Sequence, residues 1–142
     1  MNKVTAIVAV DSNWGIGLGQ DLLIKNKVDQ AFFAGYTMGK TCLVGWNTSQ
    51  TLPKLTGRLI SLDLRGTQDL KRLDHCSPLG EVVVIGGAVT YSKYADQIEE
   101  VYITIFEEEL DSDKWFDVCL FQHLDERVIV FKGDGFKIWH WS

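Results

Sequence analysis

Residues 82–91 read Val82-Val83-Val84-Ile85-Gly86-Gly87-Ala88-Val89-Thr90-Tyr91: a β-branched apolar run that stops at two glycines and passes at once into a helical pattern. Four uncharged β-branched residues in a row suit a strand covered on both faces, the usual environment within a parallel sheet. A strand that turns directly into a helix aims backbone N–H groups and the positive end of a helix dipole at whatever anion approaches, as phosphate sites do. The same letters fit a merely tight turn, and they are not the G-x-G-x-x-G fingerprint.

Outward from this segment the theme repeats. Val4 to Val10 is continuously apolar and reads as another strand buried in mid-sheet, and Thr41 to Gly45, Arg58 to Leu62 and Val101 to Phe106 read as strands as well. Lys27 to Tyr36 places Val28, Ala31 and Phe32 at i, i+3 and i+4, one helix face, with Gly35 weakening its end. Short helices are predicted over Thr48 to Leu52, with Asn47 or Thr48 as N-cap, over Thr67 to Leu73, and over Ala88 to Tyr94. Glycines and polar residues crowd Asp11 to Gln20, which reads as a long irregular loop after a buried strand, a common place for a binding site. Arg127 to Phe131 and Phe136 to Trp141, joined by Lys132-Gly133-Asp134-Gly135, read as a hairpin. The fold class predicted is α/β, a mainly parallel central sheet of about eight strands with an antiparallel C-terminal edge and helices on both faces.

The 142 residues fit a single domain spanning 1–142, and 46% hydrophobic with 23% charged residues excludes a disordered, collagen-like or coiled-coil chain. A net charge of −5 leaves no basic footprint for nucleic acid or anionic lipid. No stretch approaches the roughly 18–20 apolar residues of a membrane span, and the N-terminus lacks a signal-peptide cleavage region, so a cytoplasmic location is expected. Cys42, Cys76 and Cys119 are odd in number and free of any C-x-x-C spacing, which favours buried free thiols over disulfides or a zinc knuckle. His75, His123 and His140 have no metal-ligand spacing, and no metal is assigned.

Single residues divide between two readings. Asp29 is either a first-turn helix charge or a ligand-binding carboxylate in an apolar cleft, with Phe32 and Phe33 three and four residues on. Arg58, ahead of a strand, is either a solvated cation or a bidentate partner for a carboxylate. Thr104 is a strand threonine on a buried face. Glu107-Glu108-Glu109 reads as a solvated turn, and Trp139 and Trp141 as packing for one face of an edge strand.

Taken in order, these segments resemble dihydrofolate reductase across almost the whole chain. Ala9-Val10-Asp11 with Asn13-Trp14-Gly15-Ile16-Gly17 and Asp21-Leu22 resembles the family's first strand and mobile active-site loop. Asp29 with Phe33 is similar to the helix carrying the single acidic residue and a pterin-contacting phenylalanine. Thr37, Leu43-Val44-Gly45 and Thr48 resemble the next strand and a phosphate-receiving helix start; Leu52, Leu55 and Gly57-Arg58 resemble the segment that clamps the folate tail. Ile85 to Tyr91 is similar to the Gly-Gly turn, Tyr102-Ile103-Thr104 to the strand whose threonine bonds the acidic residue, and Asp113 with Phe116 to a loop that supports the mobile one.

What the resemblance implies is reduction of 7,8-dihydrofolate by hydride from NADPH. It implies Asp29, Leu22 and Thr104 as catalytic, and a substrate site of Ile7, Asp29, Phe33, Leu52, Leu55, Arg58, Ile85, Tyr91 and Thr104. It implies cofactor binding by Ile16, Gly17, Gly45, Trp46, Asn47, Thr48, Arg65, Gly86, Gly87, Ala88, Val89 and Thr90, in a monomer with no nucleic-acid or membrane partner. Two departures stand out: Leu22-Leu23-Ile24 replaces the usual Leu-Pro-Trp, and Trp46 stands where an arginine or lysine commonly meets the 2′-phosphate, with Arg65 as a substitute. The chain is also shorter than most members, which suits a minimal, phage-type or accessory enzyme. A non-catalytic folate- or nucleotide-binding protein, or a pyrimidine reductase of the same fold, are the alternatives.

Overall fold

The computed structural model describes residues 1–18, 21–22, 26–64, 66–74 and 76–142, with Leu18, Asp21 and Leu22 described in backbone only. Its main sheet has seven strands, one fewer than the sequence led us to expect. They are β1 (Lys3–Val10), β4 (Thr41–Gly45), β5 (Leu59–Asp63), β6 (Glu81–Gly86), β7 (Glu100–Phe106), β9 (Arg127–Gly133) and β10 (Phe136–Trp141), in the order β5-β4-β6-β1-β7-β10-β9. β1 pairs in parallel with β6 and β7, and β4 in parallel with β5 and β6; β10 runs antiparallel to β7 and β9. The mainly parallel sheet with an antiparallel C-terminal edge is thus present.

The apolar runs go where their composition sends them. In β1 the even residues Val4, Ala6, Val8 and Val10 enter one core, which also takes Tyr91, Tyr94 and Ile98 and, from the C-terminal strand, Trp141. Ile7, on the opposite face, joins Cys42, Val44, Val83 and Ile85, over which Phe32, Phe33 and Tyr36 are laid. Those three aromatics come from α1 (Lys27–Thr37), whereas Tyr91 comes from α3 (Ala88–Lys93), so helices cover both faces. Trp141 is buried and Trp139 packs on the same core; their strand is interior, and the edge belongs to β9.

Several local expectations are corrected. The segment after β1 is not wholly irregular: β2 (Gly15–Leu18) pairs antiparallel with β3 (Asp21–Leu22) and β8 (Lys114–Trp115) in a second, three-stranded sheet. Strands this short carry too little alternation to be read from sequence. α1 runs past Gly35 to Thr37, and α2 spans Trp46–Ser49 with Gly45 at its N-cap, two residues earlier than predicted and without a side-chain cap. Over 67–73 only a single 3-10 turn forms, Leu70–Arg72. Cys42 is buried, its thiol pushed up to about 11 chiefly by that burial, but Cys76 is half-buried and Cys119 exposed.

Candidate active site

Ligands of open α/β sheets settle beyond the carboxyl ends of the parallel strands; Gly45 and Gly86 end β4 and β6 there, whereas Arg58 precedes β5 at its amino end. Asn26 caps α1, its side chain accepting from the amides of Val28 (2.9 Å) and Asp29 (3.1 Å), which fixes the turn carrying the Asp29 carboxylate. Thr104, from β7 and nearly inaccessible, donates to Asp29 Oδ1 at 2.6 Å across 75 residues of sequence. Burial raises the Asp29 carboxyl above its ordinary range, and the Thr104 hydrogen bond pulls partly the other way. Among the described residues Oδ2 makes no hydrogen bond, so one carboxylate oxygen is held by the fold and the other is left for a ligand.

Around this carboxylate the apolar walls converge: Phe33, Leu52 and Leu55 pack against the cluster containing Ile7 and Ile85. Tyr91 stands behind rather than in the wall; buried, it donates its hydroxyl to the Ile7 carbonyl at 2.7 Å, and burial raises its pKa strongly. Arg58 is not the free cation the sequence allowed. It donates from Nε to Thr37 Oγ1 (2.8 Å) and from its two terminal nitrogens to the carbonyls of Thr56 and Ala34 (2.6 Å each). Three of a guanidinium's five N–H groups are thereby committed, and two remain for an anion. Thr37 is itself tied to the Phe33 carbonyl at 2.8 Å, which links the guanidinium to α1.

The glycine turn forms a second locus. A Cβ on Gly87 would lie 2.7 Å from Thr48 Oγ1, and one on Gly45 2.6 Å from Thr90 Oγ1, so a side chain at either position would force a threonine to shift. Gly86 takes φ +145, a conformation L side chains rarely adopt. The Gly86-Gly87 peptide is cis. Gly45, Thr48, Gly86, Gly87 and Thr90 therefore form a close-packed cradle of bare backbone, with the uncapped first turns of α2 and α3 opening on it. Trp46 and Asn47 lie exposed at its rim. Ala88 and Val89 line an open cleft of about 530 Å³ with Ser92, Lys93 and Trp115.

The loop after β1 is anchored by a carboxylate that sequence reasoning quoted but gave no role. Asp11, 1% exposed, accepts from the amides of Asn13 and Gly15 through Oδ1 (2.9 and 2.8 Å) and of Leu110 through Oδ2 (2.9 Å). Asp113 donates its amide to the Gly17 carbonyl at 3.0 Å and Phe116 donates to that of Trp14 at 2.8 Å, so the 107–116 segment does support the loop as the resemblance implied. Ile16 turns into the core and Gly17 lies buried in β2. Arg65, Leu23 and Ile24, and the side chain of Leu22, lie outside the described residues.

A carboxylate on a helix packed over an apolar cluster, a guanidinium with N–H groups to spare and a backbone cradle suit a bound heterocycle with an acidic tail beside a phosphate-bearing partner. The family model for dihydrofolate reductase matches residues 3–127. The chain belongs to the dihydrofolate reductase family. It is 30% identical to the dihydrofolate reductase of Neisseria gonorrhoeae and 28% to that of Neisseria meningitidis serogroup A, in each case over 99% of this chain and 98% of the relative. The Escherichia coli dihydrofolate reductase type 9 is 26% identical over 86% of this chain and 80% of its own. Among solved structures, the Enterococcus faecalis dihydrofolate reductase complexed with NADP(H) and RAB-propyl superposes with a TM-score of 0.72 at 19% identity, covering 98% of this chain and 95% of that one. That likeness is one of fold.

Proposed function

We propose that this dihydrofolate reductase family member reduces 7,8-dihydrofolate to 5,6,7,8-tetrahydrofolate with NADPH, and that its crevice binds the two side by side. The observation that carries the reading is the Asp29–Thr104 pair: one half-buried carboxylate, oriented by a buried donor on a separate strand, on the helix whose Phe32 and Phe33 pack on an apolar cluster. A pterin presents an amino group and a ring nitrogen on one edge, and a carboxylate held by one oxygen is suited to meet them. The negative charge of Asp29 raises the proton affinity of the ring it touches, and water delivers the proton to the imine nitrogen.

NADPH, when bound, supplies the hydride. The cradle fits such a group, because side-chain-free backbone at Gly45 and Gly87 leads into the first turns of α2 and α3, which have no side-chain cap and so keep N–H groups for a pyrophosphate. Gly45, Thr48, Gly86, Gly87 and Ala88 hold it there. Ile7, Phe33, Leu52, Leu55 and Ile85 exclude water and align the ring, and Leu22 with the loop around Ile16 and Gly17 closes the site. The two uncommitted N–H groups of Arg58 pair with the tail carboxylate. Val89, Trp46, Asn47 and Thr90 border the cofactor.

A single domain acting as a monomer in the cytoplasm completes the proposal. The net charge of −5 supports the absence of a nucleic-acid partner, and no helix among the described residues is long and apolar enough to cross a membrane. The test is NADPH oxidation with 7,8-dihydrofolate, expected in the parent. Tight binding of both ligands with no oxidation would replace the proposal with a binding protein, and activity on a ribosyl-aminopyrimidine instead would replace the substrate.

A further inference from the structure

The C-terminal edge of the sheet carries the longest run of exposed apolar side chains among the described residues. β9 ends the strand order, so only β10 pairs with it, and Val128, Ile129, Val130 and Phe131 are 54, 37, 49 and 45% exposed. Natural sheets usually keep such runs off an unpaired edge with charges or a covering segment. The backbone of β9 is free on its outer side as well. Glu126 and Ser142 exchange amide-to-carbonyl bonds (3.2 and 2.9 Å), so the alternation of an antiparallel ladder turns the amides and carbonyls of Arg127 and Ile129 away from β10. Between Ile129 and Phe131 that ladder slips by one residue and leaves Val130 without a partner in it. Such a bulge twists the edge, which limits how far a neighbouring strand can follow it.

The side chains along this edge match a reversed copy of themselves. Residues 126–132 read Glu126-Arg127-Val128-Ile129-Val130-Phe131-Lys132. Laid antiparallel on a second copy about Ile129, Glu126 falls opposite Lys132, Arg127 opposite Phe131 and Val128 opposite Val130. Opposite charges, a guanidinium against an aromatic ring and paired β-branched side chains are all favourable cross-strand combinations. Moving the centre by one residue sets Glu126 against Val130 or Lys132 against Val128. The backbone agrees with this centre, since Ile129 presents an outward amide and carbonyl for two copies to exchange. Glu126 and Lys132 are exposed, and neither side chain has a partner among the described residues. The opposite edge, β5, differs: the charges flanking its exposed Leu59 and Ile60 are already engaged within the chain, Arg58 with Thr37 and Asp63 with Lys93.

We propose that β9 is an interaction surface for a second copy of this chain, two β9 strands pairing antiparallel about Ile129 and joining two sheets into one. The contact is self-complementary, as a two-fold pair requires. A strand of seven residues, one of them bulged, places it at the small end of specific interfaces, under about 1,200 Å² in total. The pair is therefore weak and reversible, and the dilute chain is the monomer proposed above. β10 separates β9 from β7, whose Thr104 meets Asp29, so each copy keeps its own crevice.

Sedimentation velocity from about 1 μM to about 1 mM chain covers the affinities of a small interface, and the parent is expected to pass from monomer to dimer within it. In Glu126→Lys, and separately in Lys132→Glu, both symmetry-related ion pairs become like-charge contacts, and the dissociation constant is expected to rise about tenfold. The double variant restores both pairs with their signs exchanged and is expected to associate as the parent does. Melting temperatures check that each variant folds. A parent that stays monomeric throughout the range would overturn the inference. So would a dimer that neither charge reversal weakens, or one that Leu59→Lys on β5 disrupts instead.

Discussion

Asp29 shows how a residue can be placed for chemistry at a cost to the fold. Its carboxyl is raised mainly by burial, so between the unfolded value near 3.8 and the folded one the native state holds more protons than the unfolded state. Stability from this group is therefore highest below both values and falls as pH rises through the folded pKa. Asp29→Asn removes the charge while keeping an oxygen for Thr104, and is expected to melt at or above the parent temperature at pH 7 although its turnover collapses; differential scanning calorimetry beside the activity assay checks this. Arg58 combines two roles, since its bonds to Thr37, Ala34 and Thr56 also pin the chain before β5. Arg58→Ala is expected to raise KM for dihydrofolate at least about tenfold, as loss of a charged bond implies, with some loss of Tm. It should also abolish the parent's preference for folates bearing the glutamate tail, which steady-state kinetics with and without the tail would show.

At the scale of elements, periodicity was informative where segments were long. The seven main strands and α1 announce themselves by apolar runs and by the i, i+3, i+4 spacing of Val28, Ala31 and Phe32. β2, β3 and β8 were illegible, being two to four residues held by cross-chain pairing rather than by their own pattern. The Gly-Gly turn and Asp29 were each legible from pattern alone with two readings, and the pairing of Asp29 with Thr104, 75 positions later, came only from the resemblance, because no local pattern announces a hydrogen bond across that separation. Asp63–Lys93 and the hub at Asp11 were invisible for the same reason, since ion pairs and backbone bonds across 30 to 99 residues leave no local signature. Asp11 binds three amides in the loop base and in the 107–116 segment. Asp11→Ala leaves them without that acceptor and is expected to cost roughly 3 kcal/mol. Urea titration measures that loss, and hydrogen exchange should rise at Gly15 and Leu110 before it rises in β1.

The whole molecule is a sheet with two differently built faces. One is a continuous apolar core; the other, under α1, includes a buried carboxylate at the amino end of β6, at the opposite end of the helix from Asp29. Glu81 accepts from Thr5 at 2.9 Å and from the Tyr36 hydroxyl, and pairs with Lys40 at 3.0 Å. Burial alone would raise its pKa, but the bonds from Tyr36, Lys40 and Thr5 outweigh it and hold it below 4.5. The stability it contributes is present above the unfolded value of 4.5 and is lost as pH falls through the lower folded one. Glu81→Gln is expected to lower Tm at pH 7 and to flatten its decline below pH 4.5, which melting curves across that range would detect. Both ends of α1 are thus tied to the sheet, Tyr36 through Glu81 and Asp29 through Thr104, so the helix presents the Asp29 carboxylate from a fixed position.

The most direct test of the account follows the fall in NADPH absorbance on addition of 7,8-dihydrofolate, in the parent and in Asp29→Asn at pH 7. The account predicts oxidation in the parent and loss of most of it in the variant, with both proteins still binding NADP⁺. Oxidation that proceeds equally well in Asp29→Asn, or a parent that binds both ligands and oxidises neither NADPH nor NADH, would contradict it.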